Sequence, residues 1–278
     1  MVCEWDIDRL DLEAYLRRIG FDGDTAPTVQ TLVALHRAHV AAVPFENVDI
    51  VLGRGVLVDL ESVQAKLVDR RRGGYCYEHG LLFAAALERL GYTVDRLLAR
   101  VGGEEQRPPR ARTHMALVVH ADGGRWLADV GFGSGLLEPL PFDAPGPHTQ
   151  GAWTYELAPS GPGSWRLRER QGEEWVTLYG FDDQRQYPAD VVVANHFTST
   201  YARSPFVGRL VAVRKDAESV RELIGRTFAV TRPDRSVDDR EIEDDELADM
   251  LRADFALPLP DEDIAALIAA LPAASAGS

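Results

Sequence analysis

The sequence is poor in cysteine and in positive charge. Its 278 residues include only two cysteines, Cys3 and Cys76, and neither belongs to a Cys-x-x-Cys pair. A disulfide framework, a cysteine-based zinc site and a dithiol redox motif are therefore excluded. The 30 basic residues are outnumbered by 44 acidic ones, which gives a formal charge of −14. Without a large basic field, we expect neither nucleic acid nor an anionic membrane as a partner.

Long apolar runs are also missing. No stretch of about 18 apolar residues is present, and the N-terminus, Met-Val-Cys-Glu-Trp-Asp-Ile-Asp, lacks the basic region and apolar run of a signal peptide. Hydrophobic residues make up 45% of the chain and charged residues 27%, as in ordinary globular proteins. We therefore expect a soluble, cytoplasmic protein with a real hydrophobic core.

The pattern changes from helical to β-rich near residue 92. Apolar residues recur at helical spacing before that point, where Thr28 and Asp59 are suitable N-caps and Gly20 ends a helix. The later strands do not alternate with helices, which favours a small antiparallel barrel or sandwich over a doubly wound sheet. The main predicted strands are 93–101, 114–120, 125–130, 207–213 and 228–231, and the last helices are 246–255 and one from Asp261. The acidic run 238–246 is expected to be a solvated loop and helix start.

Two motifs that imitate binding sites are weak. His36 and His39 form a His-x-x-His pair without a third ligand nearby, so an ordinary amphipathic helix is the better interpretation, and no metal is expected. Gly131 and Gly133 follow a strand as in a dinucleotide-binding loop, but Leu136 stands where the third glycine would be required. A nucleotide-binding Rossmann domain is therefore not expected.

Cys76 lies where a Gly-Gly turn meets the start of a helix. Its sulfur would face the unsatisfied N–H groups and the positive end of that helix, with the arginines at 70–72 close upstream. Such surroundings favour the thiolate, which is the nucleophilic form of cysteine. The alternative is a buried small hydrophobic residue, the commoner fate of a free cysteine.

Hairpin geometry indicates a histidine that could act as the base for this thiolate and a carboxylate that could orient it. A two-residue turn at Asp122-Gly123 would place Asp129 opposite Ala116 on the neighbouring strand. His114 lies two residues from Ala116 on the same face, so it occupies the diagonal position, roughly 7–8 Å from Asp129 between backbones. The side chains of His114 and Asp129 are therefore predicted to meet.

Six short blocks extend over nearly the whole chain. They are Val43-Pro44-Phe45-Glu46-Asn47, Arg71-Arg72-Gly73-Gly74-Tyr75-Cys76-Tyr77-Glu78, Arg112-Thr113-His114, Asp129-Val130-Gly131-Phe132-Gly133, Asn195-His196-Phe197-Thr198-Ser199 and Ser204-Pro205-Phe206. In order and spacing these blocks closely resemble the arylamine N-acetyltransferases. The block around Cys76 is highly specific for that family.

The resemblance implies an α+β fold in three parts. These are an N-terminal helical bundle over residues 1–91, a central antiparallel β-barrel over 92–205 and a C-terminal α/β lid over 206–278. By the same likeness Cys76, His114 and Asp129 match the family's catalytic triad. The helix that carries Cys76 resembles the cysteine helix of papain-like enzymes.

The resemblance also implies an activity, which is acetyl transfer from acetyl-CoA to small aromatic amines or hydrazines through an acetyl-cysteine. Backbone N–H groups at the helix start, such as that of Tyr77, would hold the oxyanion. Glycines let backbone N–H groups approach a ligand closely, so Gly131 and Gly133 would lie along CoA. The residues that match the acceptor pocket are Phe45, Tyr77, Val101, Phe132 and Phe206.

Three departures from the family pattern leave other activities open. Gly80 replaces an Asn, Ser134 replaces a glycine, and Tyr201-Ala202 replaces a His-Pro. One alternative is an amide synthase that closes a polyketide chain onto its own aromatic amine, and another is a cysteine hydrolase with the same triad order. Within the triad, His79 is the natural rival of His114 because it lies three residues from Cys76 on the same helix. We expect His114 to be the base, because a strand facing the helix end can reach both sulfur and substrate.

Overall fold

The computed structural model describes residues 4–103 and 110–272. Cys3 and the outermost residues of the first and third predicted parts lie outside these ranges. The α-helices are α1 (Leu12–Ile19), α2 (Val29–Ala42), α3 (Val48–Val51), α4 (Leu60–Gln64), α5 (Cys76–Arg89), α6 (Pro188–Thr200), α7 (Leu247–Ala253) and α8 (Asp261–Ala270). A 3-10 turn (Ile7–Arg9) precedes α1, and a π-helical turn (Ala65–Asp69) follows α4. None of the helices in the described residues is long and apolar enough to cross a membrane.

Helices α2 and α4 begin at the predicted N-caps, and α1 ends where the sequence predicts. The Thr28 hydroxyl accepts a hydrogen bond from the Thr31 N–H, and the Asp59 carboxylate accepts one from the Ser62 N–H, so both predicted N-caps are confirmed. Gly20 ends α1 with a φ of 67°, a left-handed conformation that glycine adopts without steric cost. Helix α5 is buried from Cys76 to Leu87 and lies at the centre of the molecule.

The helix that begins after the Asp59 cap does not continue as a regular α-helix toward Cys76. The chain widens into the π-helical turn after α4, and the Leu67 carbonyl group of this turn accepts a hydrogen bond from a buried arginine. The Arg18 guanidinium donates to the carbonyl oxygens of Leu67, Ala42, Arg71 and Arg72. Arg18 thereby ties α1 to the loop that leads to Cys76.

The strands form two antiparallel sheets. They are β1 (Phe45–Glu46), β2 (Thr93–Val101), β3 (His114–Ala121), β4 (Gly124–Leu127), β5 (Leu140–Pro141), β6 (His148–Gln150), β7 (Trp153–Gly161), β8 (Ser164–Gln171), β9 (Glu174–Asp182), β10 (Val211–Lys215), β11 (Val220–Ile224), β12 (Thr227–Thr231) and β13 (Val237–Glu241). The larger sheet has the order β5-β4-β3-β2-β9-β8-β7-β6, and it curves until its edge strand β5 contacts β7. This nearly closed barrel beside the helices confirms the α+β class, whereas the division at residues 91 and 205 stays a prediction.

The hairpin of β3 and β4 has the predicted register. Asp122 and Gly123 form the turn, and Ala121 pairs with Gly124. The predicted strand 125–130 is too long, because regular pairing ends at Leu127. After that, the Ala128 N–H donates to the Leu117 carbonyl, so the chain keeps its direction toward Asp129.

The smaller sheet differs more from the prediction. Its order is β1-β10-β11-β12-β13, so a strand of the N-terminal region joins the C-terminal sheet. Strand β10 begins at Val211 rather than 207, and β11 was not predicted. The acidic run forms the exposed edge strand β13 at its start, where side-chain charges are well solvated. Helix α7 and the helix from Asp261 are confirmed within one or two residues.

A buried cluster of charged side chains lies under the start of α5. Lys66 Nζ is 2.8 Å from Asp49 Oδ2 and 2.9 Å from Glu78 Oε1, and Arg72 pairs with Glu46 at 2.7 Å. Burial opposes the charge on Lys66, but the three surrounding carboxylates together raise its pKa. Burial in turn raises the pKa of Glu78. The cluster depends on complete pairing, since one unpaired buried charge is costly.

We predict that Lys66→Met lowers the free energy of unfolding by about 3–5 kcal/mol, because it leaves the Glu78 carboxylate buried without its cation. Urea denaturation at neutral pH measures the change. The matched control is Arg17→Met, which removes a cation from the exposed pair with Glu13 and should cost at most about 1 kcal/mol. Equal losses in the two variants would contradict the role assigned to the cluster.

Candidate active site

Cys76 is the first residue of α5 and follows a tight passage of the backbone. A Cβ atom at Gly73 would lie 2.2 Å from the Pro44 carbonyl oxygen, so only glycine fits there. The Cys76 side chain is nearly buried, and its Sγ lies 3.6 Å from the Thr113 carbonyl oxygen. The first N–H groups of a helix have no acceptor within it, so the backbone at Cys76 and Tyr77 presents donors at this end of α5.

His114 and Asp129 meet as the hairpin register predicts. His114 Nε2 is 2.7 Å from Asp129 Oδ2, and the other carboxylate oxygen accepts a hydrogen bond of 2.9 Å from the Gly131 N–H. With Nε2 engaged by Asp129, the Nδ1 side of the ring is left for Cys76, which lines the same cleft and raises the pKa of the imidazole. The three side chains of the predicted triad therefore lie in one connected group.

The charges of this group support one another. Burial disfavours a charged imidazole, but the Asp129 carboxylate and Cys76 outweigh it and raise the pKa of His114 to about 10. Although burial acts in the opposite direction, His114 lowers the pKa of Asp129, and hydrogen bonds to the carboxylate add to this effect. An imidazolium between a carboxylate and a sulfur is therefore the favoured state at neutral pH.

Tyr179 on β9 belongs to the same surroundings, although no motif in the sequence indicated it. Its ring centroid lies 4.7 Å from that of His114, and Phe132 packs edge-on against the same imidazole at 5.1 Å. The buried Tyr179 hydroxyl lies beside Asp129 but has no hydrogen bond of normal geometry with a described residue. Burial and the neighbouring carboxylate hold the pKa of this phenol well above its usual value.

His79 is occupied elsewhere. Its Nε2 lies 3.1 Å from the Gly74 carbonyl oxygen and 3.2 Å from that of Pro44, and its Nδ1 lies 3.0 Å from His39 Nε2. The chain continues to the Tyr15 hydroxyl, 2.9 Å from His39 Nδ1. Burial lowers the pKa of His79 to about 4, so the ring is neutral and supports the turn before Cys76.

An open cleft of about 1110 Å³ leads to the sulfur. The predicted site residues that line it are Cys76, His114, Phe45, Val101, Gly131, Phe132 and Phe206. Residues 201–209 form a continuous part of its wall, together with Phe197 and Thr198. The sequence blocks around Asn195 and Pro205 indicated part of this wall. The sequence did not indicate that the whole segment 201–209 belongs to it.

Tyr77 and Gly133, and likewise Asp129, are not among the lining residues of the cleft. The Tyr77 ring is fully buried against Tyr75, and its hydroxyl is 3.1 Å from the Thr198 hydroxyl. Gly133 has a φ of 83° and packs on Phe45 from behind. The backbone N–H of Tyr77 keeps its place at the start of α5.

The charged lining of the cleft is more basic than the chain as a whole. Among the described residues, Arg110, Arg203 and Arg209 line it, against one carboxylate, Glu222. Such a wall suits an anionic ligand in a protein whose formal charge is −14. No group of three or more His, Cys, Asp or Glu side chains within residues 4–103 and 110–272 is arranged to hold a metal ion.

Comparison with known sequences gives consistent matches. The sequence profile of the N-acetyltransferase family matches residues 28–264. The arylamine N-acetyltransferase of Mycolicibacterium smegmatis is 42% identical over 231 residues, which are 80% of this chain and 83% of that protein. The proansamycin X synthase of Amycolatopsis mediterranei is 32% identical over 184 residues, 65% of this chain and 70% of that protein.

Solved structures agree with the sequence matches. The arylamine N-acetyltransferase of Mycobacterium abscessus superposes with a TM-score of 0.91 at 34% identity, covering 97% of this chain and 98% of that one. The Mycobacterium marinum enzyme in complex with CoA superposes with a TM-score of 0.85 at 35% identity, covering 94% and 98% of the two chains. A family profile over most of the chain, and a fold shared over nearly all of it, lead to one conclusion: the chain belongs to the arylamine N-acetyltransferase family.

Proposed function

We propose that this N-acetyltransferase moves an acetyl group from acetyl-CoA to an aromatic amine or hydrazine through an acetyl-Cys76 intermediate. The observation that carries the proposal is the connected group of Cys76, His114 and Asp129 at the inner end of an open cleft. The CoA complex of the related M. marinum enzyme supports the choice of donor. The arginines of the cleft wall suit the phosphates of such a donor.

The first half-reaction loads the cysteine. The Cys76 thiolate, paired with the His114 imidazolium, attacks the thioester carbonyl carbon of acetyl-CoA and forms a new C–S bond. The negative charge moves to the carbonyl oxygen, where the Tyr77 N–H at the start of α5 can stabilise it. Collapse of this intermediate breaks the bond to the CoA sulfur, which takes the proton of His114 and leaves as free CoA. Acetyl-Cys76 and a neutral His114 remain.

The second half-reaction passes the acetyl group on. A neutral amine attacks the carbonyl carbon of acetyl-Cys76, and His114 takes the proton that the nitrogen loses. The C–S bond then breaks, so the Cys76 thiolate and the His114 imidazolium are restored together with the amide product. Asp129 keeps the ring oriented through its bond to Nε2 during both steps.

The acceptor is expected to be flat and apolar. Phe45, Phe132 and Phe206 line the cleft, and the rings of Phe45 and Phe206 are 5.8 Å apart between centroids. Aromatic walls of this kind favour a ring over a flexible chain. Tyr201 and Ala202 also line the cleft, where a larger aromatic acceptor could be accommodated. Together with the likeness to proansamycin X synthase, this makes an amide synthase the second candidate.

We predict that incubation with acetyl-CoA adds one acetyl group to the wild-type chain and none to Cys76→Ala. Intact mass spectrometry measures the adduct, and peptide mapping assigns it to Cys76 rather than Cys3. The variant should also lose at least about a thousandfold of its turnover, because the covalent route is removed. A cysteine hydrolase that does not use CoA would give no adduct, and turnover retained by Cys76→Ala would refute the mechanism.

We predict that Cys76 reacts with iodoacetamide even between about pH 5 and 6, because the His114 imidazolium stabilises the thiolate. The pKa of His114, about 10, keeps this partner charged throughout that range. In His114→Gln the low-pH reactivity should fall by at least about tenfold. In the control His79→Gln it should stay within about twofold, since His79 is neutral above its pKa of about 4. The opposite pattern would identify His79 as the partner of the thiol.

We predict that anilines and aryl hydrazines are acetylated at least about a hundredfold faster than an alkylamine of equal concentration at pH 7. Only about one alkylamine molecule in a thousand is neutral at that pH, whereas anilines and hydrazines are largely unprotonated. A panel assay with acetyl-CoA as donor measures the ratio. Comparable rates for the alkylamine would contradict the prediction, and acylation of Cys76 by a polyketide thioester alone would establish the amide synthase instead.

A further inference from the structure

Lys215 is a buried cation that connects the two sheets of the molecule. It is the last residue of β10 in the smaller sheet and is only 3% exposed. Its ammonium lies against strands of the barrel, where Nζ sits 4.0 Å above the Trp153 ring, 3.4 Å from Glu169 Oε1 and in contact with the Tyr155 hydroxyl. No step of acetyl transfer uses this group.

The ammonium also holds one edge of the cleft. Lys215 Nζ donates a hydrogen bond of 2.8 Å to the Ser134 carbonyl oxygen, and the Tyr155 hydroxyl donates one of 2.9 Å to the Gly135 carbonyl oxygen. Ser134 lines the cleft, and its neighbour Gly133 has a left-handed φ of 83°. The segment 131–135 contains three glycines, so its backbone has high conformational freedom unless it is tied down.

The two ends of this segment are fixed by different contacts. At the inner end, the Gly131 N–H donates to Asp129, and a Cβ atom at Gly131 would lie 2.9 Å from the Cys76 carbonyl oxygen. That close packing keeps the inner end in place without help from Lys215. The outer end, at Ser134 and Gly135, depends on Lys215 and Tyr155.

The charged groups around Lys215 keep it protonated at neutral pH. Burial lowers the pKa of Lys215 to about 8, and this effect prevails although Glu169 stabilises the ammonium. Arg235 pairs with the other oxygen of Glu169 at 3.5 Å, and Glu222 adds a second carboxylate nearby. At pH 7 the hydrogen bond to Ser134 is therefore charge-assisted, and such bonds are stronger than neutral ones.

We propose that Lys215 is a positioning residue that holds the outer half of the 131–135 loop in the shape that receives the long chain of acetyl-CoA. The proposal rests on the acetyl transfer proposed above. Ser134 lines the same cleft as Cys76 and the arginines, so we place the long chain of the donor along this part of the loop, whereas a small acyl donor reaches Cys76 at the fixed inner end. Lys215 therefore acts on the donor and not on the chemistry at the sulfur.

The test compares two acetyl donors in Lys215→Met at pH 7. For acetyl-CoA we expect the KM to rise about tenfold with kcat within about twofold, which corresponds to the loss of one charge-assisted hydrogen bond in the donor site. For p-nitrophenyl acetate, a small ester without a CoA chain, the rate of Cys76 acetylation should stay within about twofold. Arg214→Met is the matched control, because Arg214 is the neighbour of Lys215 on β10 and donates to the Ala41 carbonyl at the surface. Arg214→Met should leave the KM and kcat for acetyl-CoA and the rate with p-nitrophenyl acetate unchanged.

A KM for acetyl-CoA that stays within about twofold in Lys215→Met would overturn the proposal. An equal loss with both donors would overturn it as well, because Lys215 would then support the fold or the sulfur itself. If Lys215→Met does not fold, Tyr155→Phe serves as the second variant, since it removes the hydroxyl that holds Gly135 and keeps the ring. It should raise the KM for acetyl-CoA about threefold without slowing the small ester.

Hydrogen exchange of the peptide that contains residues 131–136 separates this proposal from the proposed function. Exchange should be faster in Lys215→Met than in Arg214→Met, whether or not the wild-type chain takes an acetyl group from CoA. If the wild-type chain takes no acetyl group from CoA but exchange is faster in Lys215→Met, acetyl-CoA is refuted as the donor. The claim that Lys215 fixes the loop is then retained. Unchanged exchange would refute the anchor itself.

Discussion

The carboxylate of Glu78 has two partners at the start of α5, and the position of Cys76 depends on both. One oxygen accepts a hydrogen bond of 3.0 Å from the Tyr75 N–H, which closes the first turn of the helix from its own third residue. The other receives the Lys66 ammonium at 2.9 Å, which joins that turn to the buried charge cluster. A Cβ atom at Gly74 would lie 2.8 Å from Glu78, so the turn must be glycine for the carboxylate to fit. The hydrogen bonds and the ion pair of Glu78, together with the close packing at Gly74, thus fix the start of the helix.

Buried histidines in this molecule show that burial alone does not set their charge. His36, His39 and His79 are as buried as His114, and burial lowers the pKa of each, to about 4 for His36 and His79. Of these four buried histidines, only His114 faces a carboxylate at hydrogen-bond distance, and its pKa moves in the opposite direction. Histidine is therefore a neutral hydrogen-bonding residue at His79 and a cation at His114 beside the sulfur.

Turn and capping patterns in the sequence predicted those parts of the structure that depend on residues close together in the chain. The turn at Asp122-Gly123 defines the register of one hairpin, and that register is sufficient to bring His114 and Asp129 together. The N-caps at Thr28 and Asp59 are equally local. The resemblance to a known family predicted further residues of the cleft, such as Phe45 and Phe206.

The remaining parts depend on contacts between distant segments, which no local pattern encodes. Tyr179 approaches Asp129 only because β9 pairs with β2, and Lys215 approaches Ser134 only because the two sheets meet. The π-helical turn contains the Leu67 carbonyl group, whose hydrogen-bond donor is Arg18 on another helix. The edge strand β13 is highly charged, so its composition resembles a loop, and its pairing with β12 determines its conformation.

Strand β1 has a consequence for the order in which the active site can form. Phe45 and Glu46 pair with Val213 and Ala212, and Phe45 also forms a bridge to Gly74 in the turn before Cys76. One wall of the cleft, part of the buried charge cluster and the smaller sheet are thus a single hydrogen-bonded unit. Because β1 and β10 are separated by more than 160 residues, this unit cannot close on the ribosome until β10 has emerged. A nascent chain therefore exposes Cys76 for a time before the cleft around it is complete.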